Sequence, residues 1–270
     1  MKERKSGGGL WMLWLALAGG GLYLRSQVGT SRPTLSSAPA ARSALPPPLP
    51  SKPAGFARYD WPRGGTEGKV ELAANLAARN FYVVLDGSGS MADKGCSGNM
   101  RKMDAAKQAL AEFSKAVPAD AQLGLTAFDG GGISERVPLA VGNRSAFMAA
   151  VNAVVANGGT PLKSAIAIGI AKLEEAARRQ LGYGEYTLVV VTDGDASVGE
   201  DPAEVVGDVL GRSPVAVHTI GFCIGTNHSL NQPGRTLYKS AQSPEELRSG
   251  LGAVLAEAES FDAAKFAAPK

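Results

Sequence analysis

The sequence predicts an α/β domain: an open, doubly wound, mostly parallel sheet with helices on both faces. Three observations carry that expectation. The short apolar runs Phe81–Leu85 and Tyr186–Val191 show no polar alternation, as strands covered on both faces do. Apolar residues between and beyond them recur at helical spacing. Strands interleaved with helices of this length imply right-handed crossovers within one sheet.

The elements follow in order. Phe81–Leu85 is the first strand. Met103, Ala106, Leu110, Phe113 and Val117 then line one face of a helix. Gln122–Phe128 reads as a strand, and Ile133–Val141 as another after the Gly130-Gly131-Gly132 turn. Phe147, Val151 and Val154 mark a second helix; Leu162, Ile166, Ile170, Leu173, Ala177 and Leu181 mark a long third one. After the strand Tyr186–Val191, a helix opens at Asp201-Pro202, with Glu204 placed to close a capping box. Val215–Ile220 is a further strand. Ser243-Pro244-Glu245-Glu246 opens the last helix by the same logic, with Leu247, Leu251, Val254 and Leu255 on one face.

Ahead of this body the composition changes. Lys2, Arg4 and Lys5 precede an uncharged run from Leu10 to Leu24. As a helix this run rises only about 22 Å, and Gly7–Gly9 bring it closer to the roughly 30 Å of a hydrocarbon core. The expected device is an uncleaved signal anchor over residues 1–25, with the basic end cytoplasmic and the remainder outside, as in a single-pass protein of a bacterial-type inner membrane. Cleavage at Ala16-Leu17-Ala18, giving a secreted protein, is the competing reading. Residues 26–55, rich in Pro, Ala and Ser, read as a disordered spacer. Residues 56–77 form an N-terminal extension, 78–262 the domain and 263–270 a tail.

Charge excludes a nucleic-acid partner. The basic sequence pI of about 8.8 comes from residues 1–55, which hold seven Lys or Arg and one acid. The remaining residues carry 21 bases against 24 acids, so the folded body lacks a footprint for phosphate backbones.

The chemistry sits at strand ends, where open α/β sheets bind ligands. The first strand ends in Asp86-Gly87-Ser88-Gly89-Ser90-Met91, and the central one in Thr192-Asp193-Gly194-Asp195. Asn157-Gly158-Gly159-Thr160-Pro161-Leu162 opens the long helix between them. Asp86, Ser88 and Ser90 place oxygens at every second position of a glycine-loosened turn, and Thr160 and Asp193 can reach the same point. Two carboxylates and three hydroxyls, without His or Cys, suit Mg²⁺, or Mn²⁺ in its place. Zinc prefers nitrogen or sulfur donors. Taken singly, each segment also has an ordinary reading: Thr160-Pro161 as a helix cap, Asp193-Gly194 as a turn, Gly-Ser-Gly-Ser as a loose loop.

Together, the three segments resemble the von Willebrand factor A (VWA) domain, a Rossmann-like fold, over roughly residues 78–260. In that family they form a metal-ion-dependent adhesion site (MIDAS). The resemblance implies the strand order 3-2-1-4-5-6 with one antiparallel edge strand. It implies that Ser88, Ser90 and Thr160 ligate the metal directly while Asp86 and Asp193 act mainly through water. It also implies a binding module and no enzyme, whose partner protein supplies an Asp or Glu carboxylate to the ion. From another class, Asp193-Gly194-Asp195-Ala196-Ser197 resembles the nucleophile loop of haloacid-dehalogenase phosphatases, which suggests a metal-dependent phosphohydrolase but leaves the other two segments unexplained.

Cys96 and Cys223 are the only cysteines. Both fall at the site's end of the sheet, and outside the cytoplasm such a pair is expected to oxidise. His218, within a strand, reads as a packed core histidine, and His228 as a solvated loop residue at the rim. Gly64–Lys69 fails as a phosphate loop because Arg63 and Val70 stand where Gly and Ser or Thr are required.

Overall fold

The structure, a computed structural model, describes residues 60–63 and 70–259. The expected anchor over 1–25, the spacer 26–55 and the tail 263–270 lie outside those residues. Among the described residues, no helix is long and apolar enough to cross a membrane.

The chain runs β1 (Arg79–Asp86), α1 (Lys102–Ala116), β2 (Gln122–Asp129), β3 (Gly132–Ala140), α2 (Arg144–Ala153), α3 (Leu162–Arg179), β4 (Glu185–Thr192), α4 (Ala203–Arg212), β5 (Ala216–Phe222), β6 (Leu237–Ala241) and α5 (Pro244–Glu259). The six strands form one sheet in the order β3-β2-β1-β4-β5-β6. Only β3 is antiparallel, to β2. This is the expected order and edge. The strand β6 carries no apolar run of its own and was not predicted from the residues.

The pleat explains why β1 and β4 are apolar throughout. Phe81, Val83 and Leu85, with Val189 and Val191, face a core closed by α1, α2 and α5. Tyr82 and Val84, with Leu188 and Val190, face the opposite core under α3 and α4. A Cβ on Gly169 would lie 2.7 Å from Leu188 Cδ1, so the glycine lets α3 press onto the sheet. Fully burying each such aliphatic side chain contributes about 1.5–3 kcal/mol.

Helix ends depart from expectation in three places. At α4, the Ala203 N–H donates to Asp201 Oδ1 at 3.0 Å, whereas Glu204 faces Lys163 at 3.8 Å and closes no capping box. At α5 the box forms one residue out of register. Glu246 N–H donates to Ser243 Oγ at 3.1 Å, and Glu246 Oε2 accepts the N–H of Gln242 at 2.7 Å. The long α3 stops before Leu181, which takes φ 54°. Gly182 N–H then reaches Ala177 O at 2.8 Å and Leu181 N–H reaches Arg178 O at 3.3 Å, a Schellman ending with Leu at the position glycine usually holds.

The described part of the N-terminal extension is stitched to the sheet's far end. Trp61 packs edge-on against Tyr186, with ring centroids 5.4 Å apart, and Gln180 Nε2 donates to the carbonyls of Leu76 and Ala78. His218 is buried in β5 as expected; burial holds its pKa below the usual imidazole range, against the opposing pull of Glu257.

Candidate metal centre

The strand order reverses beside β1, whose neighbours are β2 and β4, and the loops leaving β1 and β4 flank that switch point. Asp86 ends β1 with no exposed surface. Its Oδ1 accepts the Ser88 N–H at 2.7 Å and its Oδ2 accepts the Thr192 hydroxyl at 2.6 Å. Burial pushes the carboxyl above the usual carboxylate range and the charge of Asp193 adds to this, while the bonds from Ser88 and Thr192 oppose it. The turn must tighten immediately after Asp86. A Cβ on Gly87 would sit 2.4 Å from the Phe128 carbonyl oxygen and 2.7 Å from Val154 Cγ1.

The two serines carry the chain of oxygens onward. Ser88 Oγ and Ser90 Oγ are 3.0 Å apart, and Ser90 Oγ donates to Asp193 Oδ1 at 2.7 Å. Asp193 follows β4 and its side chain is fully buried. Four of the five predicted site residues are thus joined, three of them in one hydrogen-bonded row, with Asp86 entering through Ser88 N–H.

Thr160 arrives from the third loop. Gly89 N–H donates to Gly158 O at 3.0 Å and Asn157 N–H to Gly87 O at 2.8 Å, which clamps this loop against the first. Thr160 N–H donates to Ser197 Oγ at 2.9 Å, tying it to the loop after β4. No hydrogen bond joins its hydroxyl to the other four residues. Nor does that hydroxyl cap α3, because Glu200 does so, its Oε2 accepting Ser164 N–H and its Oε1 accepting Ser164 Oγ, both at 2.8 Å. The ordinary helix-cap reading of Thr160 therefore fails.

The donor set fits a divalent cation bound through hydroxyls. Among the described residues, no three His, Cys, Asp or Glu side chains gather at metal-ligating range. Both carboxylates are buried beside Ser88 and Ser90, where negative charge is unfavourable unless it is paired or hydrogen-bonded.

One residue of the site has no signal in the sequence, and the reading of another is corrected. Lys102, at the start of α1, donates from Nζ to Asp193 Oδ2 at 2.9 Å, and its side chain is only 12% exposed. A lysine at a helix start ordinarily reads as solvated, so nothing local announced it. His228 was expected to be solvated, but it is buried. Its Nδ1 accepts the Leu230 N–H at 3.1 Å, which leaves the Nε2–H to donate to Gly194 O at 3.2 Å, and its ring stacks on Tyr238. It braces the loop carrying Asp193.

Cys96 and Cys223 form a disulfide with Cα atoms 5.5 Å apart, joining the loop after β1 to the end of β5. The bridge holds Gly95, where an added Cβ would lie 2.6 Å from Lys102 Cε and 3.4 Å from Cys223 Sγ. The lysine stem therefore runs directly over the cross-linked loop.

Residues 81–195 match the family model described as von Willebrand factor type A domain. The uncharacterized protein YwmD of Bacillus subtilis (strain 168) is 28% identical over 193 residues, spanning 64% of this chain and 84% of that protein. Among solved structures, the conserved hypothetical protein BatB of Bacteroides thetaiotaomicron superposes with a TM-score of 0.54 at 13% identity, over 67% of this chain and 98% of that one. Proximal thread matrix protein 1 of the mussel byssus, solved with zinc in its MIDAS motif, superposes with a TM-score of 0.53 at 18% identity, over 68% of this chain and 48% of that one. At such identities the structural likenesses establish the fold alone.

Proposed function

We propose that the von Willebrand factor type A domain of this chain is a metal-dependent protein-binding module with a MIDAS-type site, used for adhesion or assembly. The observation that carries the reading is the row of oxygens from Asp86 through Ser88 and Ser90 to Asp193, assembled from loops more than 100 residues apart. Ser88, Ser90 and Thr160 would hold the ion, with Asp86 and Asp193 acting through water. A bound divalent ion supplies an electrophilic position that takes a carboxylate oxygen from a partner. Uncharged hydroxyl ligands leave that position avid, and magnesium, which dehydrates reluctantly, favours exchange of a single water. Mg²⁺ is the proposed ion, with Mn²⁺ able to replace it; the zinc in the mussel protein's MIDAS motif shows that the preference for nitrogen and sulfur does not bar zinc from a motif of this kind.

The chain's own residues perform orientation. Thr192 and the Ser88 N–H fix both oxygens of Asp86, and Gly87 lets the turn close over Phe128 O. The phosphohydrolase alternative gains nothing from this arrangement. Its nucleophile would be Asp193, yet Ser90 occupies one carboxylate oxygen and Lys102 the other, in a fully buried side chain.

The basic and apolar N-terminus supports tethering at a membrane with the domain on the outer side, and the disulfide is consistent with an oxidising compartment. The partner is read as a protein that offers an Asp or Glu.

The full chain, immobilised, tests this by capture from membrane extracts. The wild type is expected to retain a protein in Mg²⁺ and release it on chelation, and Asp86→Ala to retain none. Equal recovery from both, with and without chelator, would contradict the reading.

A further inference from the structure

We propose that Lys102 is a built-in counter-cation that loosens the ion's hold in the free domain, so that the ion and a partner carboxylate are bound tightly only together. The inference rests on the metal-site reading above and adds a residue outside the five that the motifs supply.

The argument begins with charge. Asp86 and Asp193 bring two negative charges to the oxygen cluster, and the Lys102 ammonium, 2.9 Å from Asp193 Oδ2, returns one positive charge. The nearby Asp129 is already paired, its Oδ1 lying 3.0 Å from Arg136 Nη2. A divalent ion entering this cluster therefore leaves it with an excess of about one positive charge, and an outside carboxylate restores neutrality. Without the lysine the two carboxylates alone would balance the ion, and the demand for a partner would be weaker.

Geometry keeps the ammonium there. Lys102 N–H donates to Asp93 O at 2.8 Å, which fixes the start of α1 over the loop leaving β1. The lysine stem passes Gly95, where any Cβ would collide with Cε, and Gly95 sits beside the Cys96–Cys223 bridge. Its low exposure limits the shielding that solvent gives a surface ion pair. Lys102 is thus a positioning and tuning residue, acting on the ion through Asp193.

The test uses Mn²⁺ alone as probe, titrated into the purified full chain and followed by the electron paramagnetic resonance signal of the free ion. Lys102→Met removes the charge at similar size, and Lys102→Gln removes it while retaining an N–H donor for Asp193 should the methionine variant fold poorly. Both are expected to bind Mn²⁺ about tenfold tighter than the wild type, and Lys102→Arg to bind as the wild type does. A merely structural lysine predicts equal or weaker binding in the uncharged variants, and that result overturns the proposal. Absence of Mn²⁺ binding in every variant, wild type included, overturns both this proposal and the metal-site reading; equal binding in all of them overturns this one alone.

Discussion

Asp86→Asn is expected to stabilise the metal-free domain while weakening its divalent-ion affinity by about 10–100-fold. The two effects have one source. The Asp86 carboxylate is buried without exposed surface and its charge is disfavoured there, first by burial and then by Asp193. An asparagine keeps an oxygen for the Ser88 N–H and places an amide donor against the Thr192 hydroxyl, which turns from donor to acceptor and directs its own proton to Gly194 O, 3.2 Å away. What disappears is the charge that an ion would balance. Thermal unfolding with and without Mg²⁺ reads both effects. At 100 times its dissociation constant, the ion adds about 2.7 kcal/mol to the wild type; for a variant bound 100-fold more weakly the same concentration adds only about 0.4 kcal/mol. The melting curves should therefore cross, with the variant higher in chelator and the wild type higher in Mg²⁺. Parallel curves would show that Asp86 serves folding and not an ion.

The second large effect concerns the cross-link. Replacing both Cys96 and Cys223 with Ser is expected to lower stability by about 5 kcal/mol, because the bridge closes a loop with a sequence separation of 127 residues. For a domain of this size that corresponds to roughly 10–20 °C in melting temperature. Reduction of the wild type should produce the same loss. The bridge also bears on the site, since it holds the loop over which the Lys102 stem lies. A change below about 1 kcal/mol would mean that the unfolded chain is constrained at this point by something other than the disulfide.

The parts of the fold that were legible in the sequence are those whose environment repeats along the chain. Phe81–Leu85 and Tyr186–Val191 are apolar at every position because both faces of the central strands are covered, and α1 and α3 declare themselves because one face of each meets the sheet. β6 is different. It is a short edge strand whose Leu237 is 47% exposed and whose register is set wholly by β5, so Leu237–Ala241 has no pattern of its own. The same division runs through the site. Asp86, Ser88 and Ser90 are local in sequence, and their spacing is their signal. Lys102 and His228 gain their meaning from Asp193 and Gly194, which are distant in the chain, and only the folded sheet brings them together. Glu204 shows the converse, a local capping pattern that the start of α4 does not form.

The measurement that bears most directly on the account is the anomalous scattering of Mn²⁺ in crystals of the domain grown with that ion. A single peak is expected among the hydroxyls of Ser88, Ser90 and Thr160, weaker in crystals of Asp86→Asn grown at the same ion concentration. Ordered side chains at those positions with no peak between them, at an ion concentration that saturates known sites of this class, would contradict it.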